Sequence, residues 1–283
     1  MKMQIASGVP LTACYIVPGL PHVLLAPERS SGWRSLRNAF ETVRREIEES
    51  DAEMILYAST QWHSPMGYFI LAEPELERTH VDPNWYEFGS IPYRFRIDTE
   101  FAKAYSDELK QLGFTVRAVK GRDYPLDTGS VVAQSLLNPD SRLPASMISC
   151  HLYAGKEETL SVGEAAMTAL RKYGKRAVVV IVSGLSSRFE TKEIEPAQDR
   201  ISSATDDEWN RRILALFGEG RLEDVSSLAP EYARRANADL GFKGIWWLSG
   251  LCARTSEFTG RVFDYQPVWG TGAGVIGLYP KYR

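Results

Sequence analysis

Apolar positions along the chain switch repeatedly between short unbroken runs and stripes recurring every three or four residues, an alternation that predicts an α/β fold. Leu11 to Val17 forms the first run and is stopped by Pro18-Gly19. Trp33, Leu36, Phe40, Val43 and Ile47 follow at helical spacing, with Ser30-Ser31 in front to cap the helix. Met54 to Ala58 is a buried strand running into the polar segment Ser59-Thr60-Gln61-Trp62-His63. Polar residues just past a strand's carboxyl end are where α/β proteins place their chemistry. Pro74, Pro83 and Pro92 then punctuate a segment rich in Trp, Tyr and Phe that reads as a long packed excursion.

The stripe Phe101, Tyr105, Leu109 and Leu112 ends at Gly113, where a helix would stop, and Phe114 to Val119 reads as a strand. Thr128 to Leu137 has helical character and Ala145 to Cys150 strand character. A helix over Leu160 to Lys172 leads into Ala177 to Val182, a β-branched run that predicts a central strand buried on both faces. Beyond the charged loop Arg188 to Arg200 come helices at Trp209 to Phe217, Leu222 to Ala236 and Ile245 to Leu251. A strand at Val262 to Tyr265 and the glycine-rich run Trp269 to Tyr279 close the chain. No linker and no repeat interrupts the pattern, so residues 1–283 are expected to form one domain.

Composition narrows the functional classes. With 44% apolar residues over 283 positions, the chain can build a core without disulfides or structural metals. Its 33 Lys and Arg balance 36 Asp and Glu, and the basic pairs Arg211-Arg212 and Arg234-Arg235 are not tracts, which argues against nucleic acid as a partner. No apolar run reaches the ~18 residues of a membrane span, and the N-terminus lacks a hydrophobic signal core, so no membrane association and a cytoplasmic location are expected. Cys14, Cys150 and Cys252 are odd in number and far apart, which suits a reducing compartment.

Several chemistries are tested by the residues themselves. Gly270-Thr-Gly-Ala-Gly274 is no dinucleotide fingerprint, since only nine residues follow and no βαβ unit can be built; a close-packed strand or turn is the expected alternative. A serine hydrolase is excluded by the lack of a Gly-x-Ser-x-Gly elbow. Only four histidines are present, His22, His63, His80 and His151. Three of these follow predicted strands and, with Asp127, could line one sheet edge as a two-histidine, one-carboxylate iron site. They are distant in sequence and no tight ligand motif joins them, so hydrogen-bonded or solvent-facing histidines remain the alternative.

Taken together, the segments Tyr15-Ile-Val-Pro-Gly-Leu-Pro-His22, Tyr57-Ala-Ser-Thr-Gln-Trp62, His80-Val-Asp-Pro-Asn-Trp-Tyr-Glu-Phe-Gly89 and Leu126-Asp-Thr-Gly129 resemble class III extradiol ring-cleavage dioxygenases, the LigB-like superfamily. So do Ser183-Gly-Leu-Ser186, Trp209-Asn-Arg-Arg212, Gly241-Phe-Lys243 and Gly270-Thr-Gly272. The resemblance covers nearly the whole chain and implies a single α/β domain with a central mixed β-sheet flanked by helices. In catalytic members of the family, Fe(II) sits on two histidines and a glutamate, and a further histidine moves protons.

Carried onto this chain, the first iron histidine falls on Gly19, the second ligand on Gln61, the glutamate on Gly277 and the acid–base histidine on Ser187, while another histidine of the first segment falls on His22. The resemblance therefore implies a noncatalytic α-type subunit with no metal and no cofactor of its own. Its expected partner is a homologous catalytic β subunit carrying Fe(II), assembled as α2β2. The small aromatic substrate, 2-aminophenol or a related ortho-hydroxylated arene, would bind in that partner. The excursion Val81 to Phe95, with Trp85, Tyr86, Phe88 and Tyr93, is a candidate interface, internal packing being the alternative. Two rival expectations stand beside this one: a stand-alone enzyme with a shifted metal site at His22 and His63, and a ligand-binding protein whose relic pocket keeps His22, Trp62, His63, Asp127 and His151.

Overall fold

The computed structural model describes residues 10–253, 255 and 257–281; the N-terminal nine residues, where no signal core was expected, lie outside them. An eight-stranded mixed sheet runs through the molecule in the order β6-β3-β7-β2-β8-β1-β10-β9. Its strands are β1 (Leu11–Val17), β2 (Met54–Ser64), β3 (Tyr68–Leu71), β6 (Val116–Val119), β7 (Ala145–His151), β8 (Ala177–Val182), β9 (Glu257–Val268) and β10 (Thr271–Lys281). The β7-β2-β8-β1 centre is parallel, while β10 joins β1, and β9 joins β10, antiparallel. A separate antiparallel hairpin, β4 (Glu75–His80) and β5 (Ile91–Arg96), lies inside the segment read as an excursion.

β8 shows why the sheet must be covered on both sides. Ala177, Val179 and Ile181 enter one buried cluster and Val178, Val180 and Val182 the other, as the period of two requires. On the first face pack α3 (Thr99–Gln111), α5 (Lys156–Tyr173), α6 (Ala204–Gly218), α7 (Leu222–Ala236) and α8 (Lys243–Leu251). The second face is covered by α2 (Ser31–Glu49), α4 (Thr128–Leu137) and the hairpin, with a single-turn helix α1 (His22–Leu25) after β1. The predicted cap of α2 is present, the Ser30 hydroxyl accepting from Gly32 N at 3.2 Å, and Trp33, Leu36, Phe40, Val43 and Ile47 are all buried. Among the described residues no helix is long and apolar enough to cross a membrane.

Two features of the strands matter for the site, the first a departure from the sequence reading and the second the close-packed strand that the reading expected. First, β2 continues through Ser64, so the polar segment 59–63 is strand. It is an interrupted strand, because pairing with β7 shifts register between Ser59 and His63. The Ser59 hydroxyl organises that irregularity by accepting from the amides of Gln61 and Trp62 at 3.2 and 3.4 Å. Such an interruption re-aims the side chains it carries, here Gln61. Second, the glycine-rich run after Trp269 is strand β10, with Gly270 at φ +84 in the tight turn that joins it to β9. A β-carbon on Gly272 would overlap the Asn210 amide, so glycine there serves close packing and not a phosphate cradle.

Candidate functional site

A cavity of about 240 Å³ opens at the carboxyl ends of β1, β2 and β8. Pro18, Gly19 and Leu20 enter it from the end of β1, Gln61 from β2, and Gly184, Ser186, Ser187 and Phe189 from the loop after β8. Asp82, Asn84 and Trp85 close it from the strap between β4 and β5, and Asp239, Thr271, Gly272 and Ala273 complete the wall. Gly19, Gln61 and Ser187, three of the four positions matched to family functional residues, thus meet in one place.

The floor is an interlock of Gly19, Gln61 and Gly129. Gln61 Oε1 accepts from Gly129 N at 2.8 Å, and Nε2 donates to the Gly19 carbonyl at 3.3 Å. A β-carbon built on Gly19 would lie 2.6 Å from Gly129 Cα, 2.7 Å from Gln61 Nε2 and 2.9 Å from Val182 Cγ1. One built on Gly129 would lie 2.9 Å from Gln61 Oε1. The space a side chain at position 19 would need is therefore filled by the glutamine amide and by the first turn of α4.

Above the floor stands Asp239, which the sequence reading missed. Its Oδ2 accepts from the Thr60 hydroxyl at 2.6 Å, Gly184 N at 2.9 Å and the Ser183 hydroxyl at 3.2 Å. Burial raises its carboxyl pKa, opposed by those three donors. Asn237, Leu240 and Phe242 around it all sit at positive φ (48, 43 and 62), a conformation costing non-glycine residues about 1–2 kcal/mol each and held only by surrounding contacts. Asp239 lies in a loop between helices where periodicity gives no guidance; its one signal is position, two residues before the Gly241-Phe-Lys243 motif.

Other residues singled out from the sequence go elsewhere. Gly277 is in mid-β10 opposite Tyr15, facing Phe263 and the Tyr279 hydroxyl, and does not line the cavity. His22 is fully buried among Trp33, Trp85, Phe88 and Trp269, with ring centroids 4.5–5.7 Å away and, among the described residues, no hydrogen bond to either nitrogen. Burial drives its pKa down to about 3, with Asp82 opposing and Arg29 adding to the effect. His63 is exposed, so the shifted site at His22 and His63 is not assembled: one ring is sealed in an aromatic cluster and the other lies at the surface.

His151 Nδ1 is 3.1 Å from Glu158, and His151 lines a second, smaller cavity together with Cys150 and Lys243. Trp62 is buried and donates to the Tyr124 hydroxyl at 3.0 Å. Asp127 caps α4, its Oδ1 accepting from Ser130 N and the Ser59 hydroxyl at 2.8 and 2.9 Å. The relic pocket expected from His22, Trp62, His63, Asp127 and His151 is thus not one pocket, and none of the five lines the cavity at the carboxyl ends of β1, β2 and β8. Of the candidate interface residues, Tyr93 is buried and Trp85 and Phe88 pack on His22, leaving Tyr86 exposed.

Fe(II), the metal implied by the resemblance, does not fit the donors present. Gly19 has no side chain, both amide atoms of Gln61 are hydrogen bonded to backbone, and no histidine lines the cavity. Among the described residues no group of three or more His, Cys, Asp or Glu is placed to hold a metal ion.

A cavity at the carboxyl edge of a mixed sheet, lined by segments that carry ring-cleavage motifs, defines the class, and the chain belongs to the LigB family of aromatic ring-opening dioxygenases. The family model described as the catalytic LigB subunit of aromatic ring-opening dioxygenase matches residues 13–276. The chain is 32% identical over 268 residues to the 2-aminophenol 1,6-dioxygenase alpha subunit of a Pseudomonas species, covering 94% of this chain and 98% of that one. The beta subunit of 2-aminophenol 1,6-dioxygenase from a Pseudomonas species is 26% identical over 280 residues, covering 93% and 92%. Among solved structures, an uncharacterized protein from Escherichia coli K12 superposes with a TM-score of 0.66 at 13% identity, covering 94% of this chain and 99% of that one, which shows the shared fold.

Proposed function

We propose that this chain is the noncatalytic, α-type subunit of a heteromeric ring-cleavage dioxygenase, assembling with a homologous β subunit that carries Fe(II). The observation that carries the reading is the interlock of Gly19, Gln61 and Gly129: the cavity keeps the family's place in the fold while its metal-ligand positions hold a glycine and a hydrogen-bonded amide. Ser187, matched to the acid–base histidine, donates its hydroxyl to the Asn237 carbonyl at 2.7 Å and is no base near neutral pH. The greater identity to an alpha than to a beta subunit of 2-aminophenol 1,6-dioxygenase supports the assignment and points to 2-aminophenol or a related ortho-hydroxylated arene as the substrate of the complex. In this reading the two kinds of subunit assemble as α2β2, this chain contributing contact surface and stability.

The test is direct. The isolated chain, incubated anaerobically with Fe(II), desalted and exposed to oxygen and 2-aminophenol, is expected to retain no stoichiometric iron and to open no ring. Iron near one per chain together with ring cleavage would overturn the proposal.

A further inference from the structure

We propose that the cavity binds a small organic ammonium ion with an aromatic body, its charge on Asp239 and its ring against Trp85 and Phe189. The lining contains two carboxylates, Asp82 and Asp239, and no Lys, Arg or His. Asp82 is used internally: Oδ1 accepts from the amides of Asn84 and Trp85 at 2.8 and 3.0 Å, and Oδ2 accepts from the Thr128 hydroxyl. Asp239 is different, because its three hydrogen bonds fall on Oδ2 and come from neutral donors, leaving Oδ1 without a hydrogen bond among the described residues.

A carboxylate in a partly desolvated wall with no cation among the residues that line the cavity carries an electrostatic cost that a bound cation relieves. The rings supply the rest of the recognition. Trp85, itself packed on His22, Phe88 and Trp269, and Phe189 line the cavity with ring centroids 6.4 Å apart, and aromatic rings favour a cation or a flat apolar group. The volume of about 240 Å³ lies below the ~300–1,000 Å³ of pockets for drug-sized ligands, which limits the occupant to one ring with a short chain. A carboxylate-bearing ligand would meet two like charges.

This goes beyond the subunit assignment and is separable from it, since a chain that joins its partner but binds no ammonium refutes the inference alone. Isothermal titration of the purified chain with 2-phenylethylammonium, 2-phenylethanol and 3-phenylpropionate tests it. The cation is expected to saturate one site and to bind at least about tenfold more tightly than the neutral alcohol, in the range of a hydrogen bond to a charged group, with the anion showing no saturable heat. Asp239→Asn should erase the preference for the cation over the alcohol. Phe189→Ala, at a residue that is 45% exposed, should weaken both several-fold without lowering the melting temperature. No saturable heat with the cation at millimolar concentration, or equal affinity for cation and alcohol on the unsubstituted chain, would overturn the inference, and that comparison stands even if Asp239→Asn does not fold.

Discussion

Gly19 is held by its neighbours as firmly as any core residue. Because the nearest atom to a β-carbon there is the backbone Cα of Gly129, the clash cannot be relieved by a rotamer change. Gly19→Ala is therefore expected to lower unfolding stability by about 1–3 kcal/mol in a urea titration, the usual cost of overpacking a filled site. A stability within experimental error of the unsubstituted chain would show that α4 moves freely. Placing histidine at both position 19 and position 61 should likewise fail to create a tight metal site, because replacing Gln61 does not move Gly129.

His22 gives a second prediction at this scale. In the fold its ring stays neutral down to about pH 3, whereas in the unfolded chain it takes up a proton near its ordinary 6.5. Between those values the unfolded state holds more protons, so the contribution of His22 to stability is complete above about pH 6.5. It is lost as the pH falls toward 3, at no more than about 1.4 kcal/mol per pH unit. Asp127 and Asp239, both raised by burial, run in the opposite sense but titrate alike in the unsubstituted chain and in a variant. Melting curves from pH 7 to 4 should accordingly fall less steeply for His22→Leu, and parallel curves would contradict the burial of a neutral ring. The histidines also mark where sequence reading failed: their positions after strands were legible, but which face each would take depends on the single-turn helix at His22, the interruption in β2 and the pairing of His151 with Glu158.

At the scale of elements, the motifs that seemed scattered along the chain converge on Asn210 of α6. Its Oδ1 accepts from Ser186 N at 3.1 Å and from the Tyr232 hydroxyl, and its Nδ2 donates to the Ser186 and Tyr265 hydroxyls at 2.9 Å each. Gly272 N also donates to the Ser186 hydroxyl, at 3.2 Å. One buried amide thus ties α6, α7, β9, β10 and the loop that carries Ser186 and Ser187 into the cavity wall. Asn210→Ala leaves Ser186 N without its side-chain acceptor in a buried setting and should cost about 3 kcal/mol, measurable by denaturant titration. A loss under 1 kcal/mol would show that the loop is positioned by other contacts.

The elements themselves were largely legible from periodicity. The α2 stripe, the β8 run and the stop at Gly113 depend on local pattern and stand in the structure. The hairpin β4–β5 was hidden because its prolines suggest a loop, although Pro92 sits in a two-stranded ribbon where a missing donor is tolerated. Gly277 illustrates the limit of motif matching: a terminal glycine-rich run can be recognised, but whether a residue in it faces the cavity depends on register with β1 and β9.

At the scale of the whole molecule, the sheet, its two packed faces and the cavity at the carboxyl edge are those of a ring-opening dioxygenase family member, while the floor of the cavity is built for packing. This combination supports the proposed role in assembly. Obligate contacts between such subunits bury roughly 2,000 Å² or more, and stability then depends on the partner. Coexpression with a homologous subunit that has intact ligand histidines and glutamate is expected to raise the melting temperature of this chain above its value alone, and an unchanged value would argue against an obligate pairing.

The most direct measurement is native mass spectrometry of that coexpressed complex, followed by metal analysis of each separated subunit. The prediction is equal numbers of the two subunits, with iron recovered only with the partner. Iron recovered with this chain, or no complex at all, would contradict it.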